Sequence, residues 1–300
     1  MTTEIVDVAD CAVIYLTYDE PKKEEFWVTI QNIVPWAKRV DGVLGSDAAH
    51  KAAADASDTE RFVLIDGDNI PDASFFNQQM SLDENNRDCV FRWRARNIIN
   101  GLQYGNGGLS SWTKEFVYTM QTHEASKGDA ETCVEFCFHP RYWAMRDCFS
   151  TTYPNGSPFQ AFRAGFREGV KMCLDRGSKP TLAEFESRVV SRNYDNLCIW
   201  QSVGRDAENG VFAIYGARVG TYLTMLTDWD YRNVQDFTEL ATLWDKYACD
   251  DPEEMLEGTI TEQLKTRLGL PIVEMNAEQS KFFKHHYGTQ FKNTGIMNRE

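Results

Sequence analysis

The sequence has little of what marks membrane-spanning and secreted proteins. No apolar run approaches the roughly 20 residues that a membrane helix needs, so we expect no membrane span. The N-terminal MTTEIVDVAD lacks the basic-then-apolar pattern of a secretory signal. Basic residues are also few, with 31 against 45 acidic residues. The resulting net charge of −14 repels nucleic acid at long range. A polyanionic ligand therefore needs a local basic patch.

Cysteine and histidine are too sparse and scattered for a structural metal site. None of the eight cysteines forms a Cys-x-x-Cys motif, and the closest two are Cys133 and Cys137. This pattern indicates reduced, mostly buried thiols and a cytoplasmic protein, and it argues against a zinc site or a disulfide framework. The five histidines offer few metal ligands.

The first third of the chain alternates as α/β units do. Apolar runs predict strands at 12–18, 37–44 and 62–66, and helix-forming segments at 20–33 and 47–54 separate them. This order predicts a right-handed parallel sheet. With 300 residues and 42% hydrophobic content, the chain can bury a substantial core. We therefore expect the α/β class, with a mostly parallel sheet flanked by helices.

The rest of the chain has a different character. Residues 133–138 predict one more strand, but most later segments are helical in pattern, and no repeat or low-complexity linker separates them. We expect residues 1–110 to form a nucleotide-binding half and residues 111–300 a mostly helical half of the same unit. The predicted helices are 157–174, 181–190, 211–227, 234–248 and 252–267.

A buried-looking strand runs straight into two carboxylates in FVLIDGDNI, residues 62–70. Such an apolar run suits a strand buried on both faces, and ligands of open α/β sheets collect at the carboxyl ends of such strands. Asp66 and Asp68, separated by a glycine that permits a tight turn, are suited to hold a hard divalent cation such as Mn²⁺ or Mg²⁺. An ordinary acidic turn is the plain alternative.

Three chemistries use aspartates in this arrangement. A calcium loop of the EF-hand type needs an oxygen ligand and a glycine where Ile70 and Pro71 stand, so it is excluded. A phosphatase of the haloacid dehalogenase type would use Asp66 as nucleophile and Asp68 as acid, although it usually places them after the first strand. The third is the Asp-x-Asp of sugar-nucleotide glycosyltransferases with the GT-A fold, whose preceding β-α-β-α-β order residues 11–70 resemble.

Arginine alternates with apolar residues in Cys89–Arg96. As a strand, this segment places Arg92, Arg94 and Arg96 on one face. Three like charges in one row are costly unless they meet anions. Those anions are either carboxylates of the protein or phosphate groups, for which the planar arginine fork is suited.

The helix predicted from residue 157 has a second basic face. Ser157 and Pro158 suit the N-cap and first helical positions. Arg163, Arg167 and Lys171 then recur at about one turn each. This stripe is either a solvated face or a binding surface for a diphosphate or polyanionic acceptor.

Two further segments are candidate ligand contacts. Residues 100–108, NGLQYGNGG, exclude a helix interior and predict either a flexible loop or a backbone that approaches a ligand closely. No Gly-Lys-Ser/Thr follows, so this is not a Walker loop. Near the C-terminus, residues 285–292, HHYGTQFK, resemble a His-x-x-Gly-x-x-Lys motif with the lysine one residue late, and His139 is a rival metal ligand.

Taken together, the chain resembles GT-A glycosyltransferase-like proteins encoded by tailed bacteriophages. The resemblance rests on LIDGDNI, NGLQYGNGG, SPFQAFRAGFREGVKMCL and IWQSVGRDAENGVFAIYGARVG, and it covers most of the chain. Some members of that group attach a sugar such as arabinose to hydroxymethylated cytosine in phage DNA, which implies a duplex-DNA acceptor. The sequence pI of 4.9 departs from what a DNA-binding enzyme leads us to expect. An acceptor that is a glycan or a small molecule stays open.

The resemblance also implies roles for individual residues. It implies a UDP-sugar donor whose diphosphate is held by Mn²⁺ or Mg²⁺ on Asp66 and Asp68, with His286 completing the metal site. The expected donor contacts besides the two aspartates are Thr17, Tyr18, Ser46 and Arg94. The expected acceptor contacts are Tyr104, Asn106, Gly107, Gly108, Arg163 and Arg167.

Overall fold

Two β-sheets form the framework of the molecule. The computed structural model describes residues 3–120, 139–248 and 251–300. In it, β1 (Glu4–Asp7) pairs antiparallel with β6 (Gln79–Leu82) as a small separate sheet. The large sheet contains β2 (Ala12–Thr17), β3 (Lys38–Asp41), β4 (Arg61–Asp66), β5 (Asn69–Pro71), β7 (Val90–Asn97), β8 (Gln103–Thr113) and β9 (Tyr142–Thr152), in the order β3-β2-β4-β8-β7-β9-β5.

The predicted β-α-β-α-β order of the first third is confirmed. β2 pairs in parallel with both β3 and β4, and the connections run through α1 (Lys23–Ile33) and α2 (Ser46–Ala56). The second strand is shorter than the predicted 37–44. Because the three strands are parallel, Thr17, Asp41 and Asp66 end them at the same edge of the sheet.

The other half of the sheet is mixed, so the prediction of a mostly parallel sheet holds only for this first half. β8 runs antiparallel to both β4 and β7, β9 is parallel to β7, and β5 is antiparallel to β9. The turn at 98–102 that joins β7 to β8 is short, and a short connection permits only antiparallel neighbours. β8 crosses residue 110, so both predicted halves of the chain contribute to one sheet.

The C-terminal part is largely helical. The predicted helices at 157–174, 211–227 and 234–248 are confirmed, the segment at 181–190 contains only a short helix, and the one at 252–267 is interrupted at Gly258. The predicted strand at 133–138 lies outside the described residues. The remaining helices are α3 (Lys114–Thr119), α4 (Pro158–Lys171), α5 (Phe185–Arg188), α6 (Ser191–Trp200), α7 (Gly210–Leu226), α8 (Phe237–Tyr247), α9 (Pro252–Leu256), α10 (Thr259–Leu268) and α11 (Ala277–Gly288).

Apolar clusters cover both faces of the parallel strands, as the continuous apolar pattern of β4 predicts. Val63 and Ile65 belong to a cluster that includes Phe26 of α1. Phe62 and Leu64 face the opposite way and belong to a cluster with Ala53 of α2. No helix in the described ranges is long and apolar enough to cross a membrane.

Helices α4 and α7 cross at a distance that only glycine permits. A Cβ added to Gly165 would lie well inside 3.0 Å of the Ala213 carbonyl oxygen, and one added to Gly216 would meet the Phe162 carbonyl oxygen in the same way. Gly169 on α4 and Gly220 on α7 repeat this relation one turn further on. The two backbones are therefore in direct contact along two turns.

Gly165→Ala is expected to lower the free energy of unfolding by about 2 kcal/mol or more, because the new methyl group must push two backbones apart. The measurement is chemical denaturation of both proteins. Gly288→Ala is the matched control, since no atom lies within 4 Å of its added Cβ. Equal stability of Gly165→Ala and the parent would contradict the close contact.

Candidate functional site

Asp66 and Asp68 lie in a rigid turn between two strands. Asp66 is the last residue of β4, and Asn69 begins β5. The Tyr15 hydroxyl donates to the Gly67 carbonyl at 2.8 Å, and the Tyr153 amide donates to the Asp68 carbonyl at 2.7 Å. These bonds fix the turn from both sides. The structure thus places the two predicted carboxylates at the carboxyl edge of the sheet.

A third carboxylate, which the sequence did not single out, lies against this turn. The Glu20 Cδ stands 2.5 Å from the position that a Cβ on residue 67 would take, so any side chain larger than glycine would displace it. Glu20 Oε2 accepts a hydrogen bond from the Tyr18 amide at 2.8 Å. The acidic pair Asp19-Glu20, just after β2, could have indicated this carboxylate, because the carboxyl ends of parallel strands lie at one edge of the sheet.

Burial raises the pKa of both aspartates, and neighbouring carboxylates add to the effect. Burial raises the pKa of Asp66 to about 8, with smaller contributions from the charges of Asp68 and Glu20. Burial and then Glu20 raise the pKa of Asp68 to about 6, while Arg163 and a hydrogen bond from Thr152 lower it. Negative charge is therefore unfavourable at this turn unless a cation shares it.

One residue of the basic stripe of α4, Arg163, lies close enough to the carboxylates to lower the pKa of Asp68. Arg163 interacts with Asp68 and lies over the rings of Phe159 and Phe237, at 5.6 and 5.0 Å from their centroids. Arg167 lies 6.0 Å from the Phe237 centroid. Burial lowers the pKa of Arg163, and the nearby Asp19 opposes that effect. The carboxylates and the basic helix thus form one cluster of opposite charges.

The residues expected to contact a nucleoside line the same edge of the sheet. Thr17 is buried, and its hydroxyl donates to Asp41 Oδ1 at 2.6 Å. Lys23 donates to the same oxygen at 2.7 Å, and this bond, followed by that from Thr17, lowers the pKa of Asp41. Tyr18 is 46% exposed, so its ring is open to a ligand. Ser46 begins α2, next to the end of β3.

The arginine row on β7 is confirmed as a strand, but its members have different partners. Phe91, Trp93 and Ala95 are buried, while the arginines alternate with them on the other face. Arg94, expected at the donor, forms an ion pair with the Glu300 carboxylate. Arg92 lies over the Tyr142 ring at 5.6 Å. Only part of the row is therefore neutralised by carboxylates of the protein.

The glycine-rich segment is not the flexible loop that its composition permits, since β8 begins at Gln103. Its glycines make room for neighbouring side chains. A Cβ on Gly105 would collide with the Arg92 guanidinium, and one on Gly108 would collide with the Asn69 amide. Composition alone cannot reveal this role, because both neighbours come from other strands.

The candidate acceptor contacts of this segment lie within β8. The Tyr104 hydroxyl donates to Glu168 Oε2 at 2.6 Å and accepts from the Trp200 indole at 3.0 Å, which fixes the ring between α4 and α6. Asn106 and Gly107 are residues of the same strand.

The two candidate histidines, His286 and His139, contact aromatic rings. His286 lies on α11, and its ring is tilted against that of Phe282 at a centroid distance of 4.1 Å. His139 precedes β9, and its ring meets that of Phe116 edge-on. Within residues 3–120, 139–248 and 251–300, no three His, Cys, Asp or Glu side chains form a group that could hold a metal ion. The part of the site given by the described residues is thus the pair Asp66 and Asp68.

Asn69 is a further site residue that the sequence did not single out. It is fully buried, and neither its amide nitrogen nor its amide oxygen has a hydrogen-bond partner among the described residues. A buried amide without partners is costly and rare. Asn69 directly follows Asp68, so this unsatisfied amide lies in the residue next to the carboxylate turn.

Comparison with known proteins gives no match at the level of family models, curated proteins or solved structures.

Asp66→Asn is expected to stabilise the metal-free protein at neutral pH. An aspartate with a pKa near 8 in the folded state and 3.8 otherwise binds more protons when folded, so the parent loses stability as the pH rises between those values. The variant should lack most of that slope. Denaturation at a series of pH values from about 5 to about 8 measures it.

Asp245→Asn is the matched control, because Asp245 is an exposed residue of α8. It removes the same charge but should keep the slope of the parent. Equal slopes for Asp66→Asn and the parent would mean that burial does not raise the pKa of Asp66 as described above.

Proposed function

We propose that the protein is a metal-dependent glycosyltransferase that moves a sugar from a UDP-sugar to an acceptor hydroxyl. The observation that carries this proposal is the position of Asp66 and Asp68. They follow the third strand of a parallel β-α-β-α-β unit, at the edge where open α/β sheets bind ligands, and Arg163 stands beside them. A GT-A-like arrangement of this half is part of the proposal.

The carboxylate pair fits Mn²⁺ or Mg²⁺. Both ions prefer oxygen ligands and commonly bind one or two carboxylates together with substrate phosphates. The raised pKa of both aspartates supports this choice, because a divalent cation offsets the charge that burial and Glu20 disfavour. When bound, such an ion acts as a Lewis acid that neutralises charge on the departing diphosphate.

The residues of the chain have separate roles in this proposal. Asp66 and Asp68 hold the cation, and the bonds from Tyr15 and Tyr153 keep their turn rigid. Arg163 neutralises diphosphate charge that lies near Asp68. Thr17, Tyr18 and Ser46 border the space for the uridine, at the ends of β2 and the start of α2.

The acceptor we favour is 5-hydroxymethylcytosine in phage DNA, modified in the cytoplasm of the host. The cations of α4 and β7 support it, because they are local basic groups in a chain of net charge −14. The target base has to leave the stack to reach the donor. A glycan or a small molecule is the alternative acceptor.

A phosphatase with Asp66 as nucleophile fits less well. That reaction needs an ionised nucleophile and a protonated acid. Burial raises the pKa of Asp66, which disfavours ionisation of that nucleophile. Such phosphatases also usually place the pair after the first strand, whereas Asp66 ends the third strand of the parallel unit. Turnover of a generic aryl phosphate, with an aspartyl-phosphate at Asp66, would support the phosphatase instead.

Titration of UDP by calorimetry, with and without Mn²⁺, tests the donor site. We expect Mn²⁺ to tighten UDP binding and Asp68→Asn to remove that gain, because the variant loses a charged metal ligand. Asp245→Asn should bind as the parent does. The gain should grow as the pH rises from about 6 to about 8, because the cation displaces protons from the carboxyls. A gain that Asp68→Asn retains would refute the metal assignment.

Mass spectrometry of nucleosides tests the acceptor. The protein is incubated with UDP-glucose, UDP-arabinose or UDP-N-acetylglucosamine, together with DNA that contains hydroxymethylcytosine or with unmodified DNA. A gain of one sugar mass on hydroxymethylcytosine alone is the expected result. No gain of sugar mass with any donor, together with absent or salt-independent DNA binding, would exclude the DNA acceptor. The donor-site assignment would not be affected by that result.

A further inference from the structure

A cavity of about 200 Å³ opens next to the arginine row of β7, between β8, α4, α6 and the turn at 175–178. None of the aspartates and glutamates of the carboxylate cluster lines it. Its charged lining consists of the cations Arg92, Lys171, Arg176 and Arg192 and the carboxylates Glu168 and Glu300.

Both carboxylates of this cavity already have cationic partners. Glu168 forms an ion pair with Lys171 at 2.5 Å and accepts from the Tyr104 hydroxyl. Glu300 pairs with Arg94 and, at 3.3 Å, with Arg192. Among the described residues, neither Arg92 nor Arg176 has a carboxylate partner. The lining therefore carries positive charge that the protein does not neutralise there.

Packing contacts hold the Arg92 guanidinium in place, and no hydrogen bond from it to a described residue is found. Its guanidinium lies between the Tyr142 ring and the backbone of Gly105, where a Cβ would collide with Nη1. Its Nε is buried and has no partner in the described parts of the chain. A buried Nε without an acceptor is unfavourable, so the geometry of Arg92 suits a ligand that supplies one.

A second polar side chain, that of Asn196 on α6, also lines the cavity. It is 6% exposed, and its amide group is a neutral hydrogen-bond donor. Arg176 stands in the turn Asp175–Ser178 with a φ of 49°, a left-handed conformation that favours glycine. This turn holds the Arg176 side chain at the cavity.

We propose that this cavity binds a phosphate ester, with Arg92 as the main donor and Asn196 as a neutral donor beside it. Guanidinium forks bind phosphate oxygens through paired hydrogen bonds. The volume is smaller than the roughly 300 Å³ at which sites for whole small molecules begin, so the cavity suits one phosphoryl group of a larger ligand. This site does not depend on the proposed sugar transfer.

Inorganic phosphate, titrated at constant ionic strength and followed by calorimetry, is the first probe. Arg92→Met keeps the aliphatic contact with Tyr142 but removes the fork, and we expect it to weaken phosphate binding about tenfold or more. Arg267→Met is the matched control, because Arg267 is an exposed residue of α10 and its loss removes the same charge. The control should bind within about twofold of the parent.

Three results would overturn the proposal: no phosphate binding by the parent, equal binding by Arg92→Met, or an equal loss in Arg267→Met. If Arg92→Met does not fold, Asn196→Ala provides the test, since it leaves the charge unchanged. We expect about threefold weaker binding or more from that variant, and parent-like binding would overturn the site.

Two further probes identify the source of the phosphate. A nucleoside monophosphate and a short single-stranded oligonucleotide are titrated under the same conditions. Tighter, Arg92-dependent binding of the oligonucleotide identifies a nucleic-acid phosphate, and equal Arg92-dependent binding of both identifies a free phosphate ester. Binding of both that ignores Arg92 overturns the site. No probe contains Mn²⁺ or a sugar donor, so failure here is separate from failure of the glycosyltransferase.

Discussion

The direct backbone contact between α4 and α7 is the constraint on which the site depends. Gly165 and Gly216 each approach a carbonyl oxygen of the other helix, so the distance between the helices is set by backbone atoms and not by adaptable side chains. α4 presents Phe162 and Phe166 to this side and Arg163 and Arg167 to the other. This backbone contact therefore fixes the position of the basic groups on α4 relative to Asp68, because any shift of α4 along α7 would make backbone atoms collide or separate.

α7 can serve as the fixed partner because a buried cation anchors it. Arg218 is fully buried, and its guanidinium donates to the carbonyl oxygens of Gln201 and Leu256 and pairs with Glu274 at 2.8 Å. Burial lowers the pKa of Arg218, and the Glu274 partner opposes that effect. A buried ion pair contributes little net stability, but removal of one partner is costly, so it favours one arrangement of the helices.

Features that depend on neighbouring residues could be predicted from the sequence, whereas contacts between residues far apart in the sequence could not. The strands and helices around Asp66 follow from local apolar patterns, and so does the cap of α4 at Ser157. The pairing of Arg94 with Glu300 joins residues 206 positions apart, so no local pattern could assign it. The glycine-rich segment of β8 permitted a loop prediction for a similar reason. The side chains that occupy the space beside its glycines, Arg92 and Asn69, come from other strands.

The acidic surplus and the local basic groups are two parts of one arrangement. A chain of net charge −14 repels anions over most of its surface, so an anion that binds must meet cations that carboxylates of the protein leave unpaired. Some arginines of the sheet form ion pairs with carboxylates, as Arg94 and Arg39 do. Arg92 at the cavity and Arg163 over its aromatic rings are among those that form no ion pair with a described residue. In both proposed sites, an anion would therefore meet an arginine that forms no ion pair with a described residue.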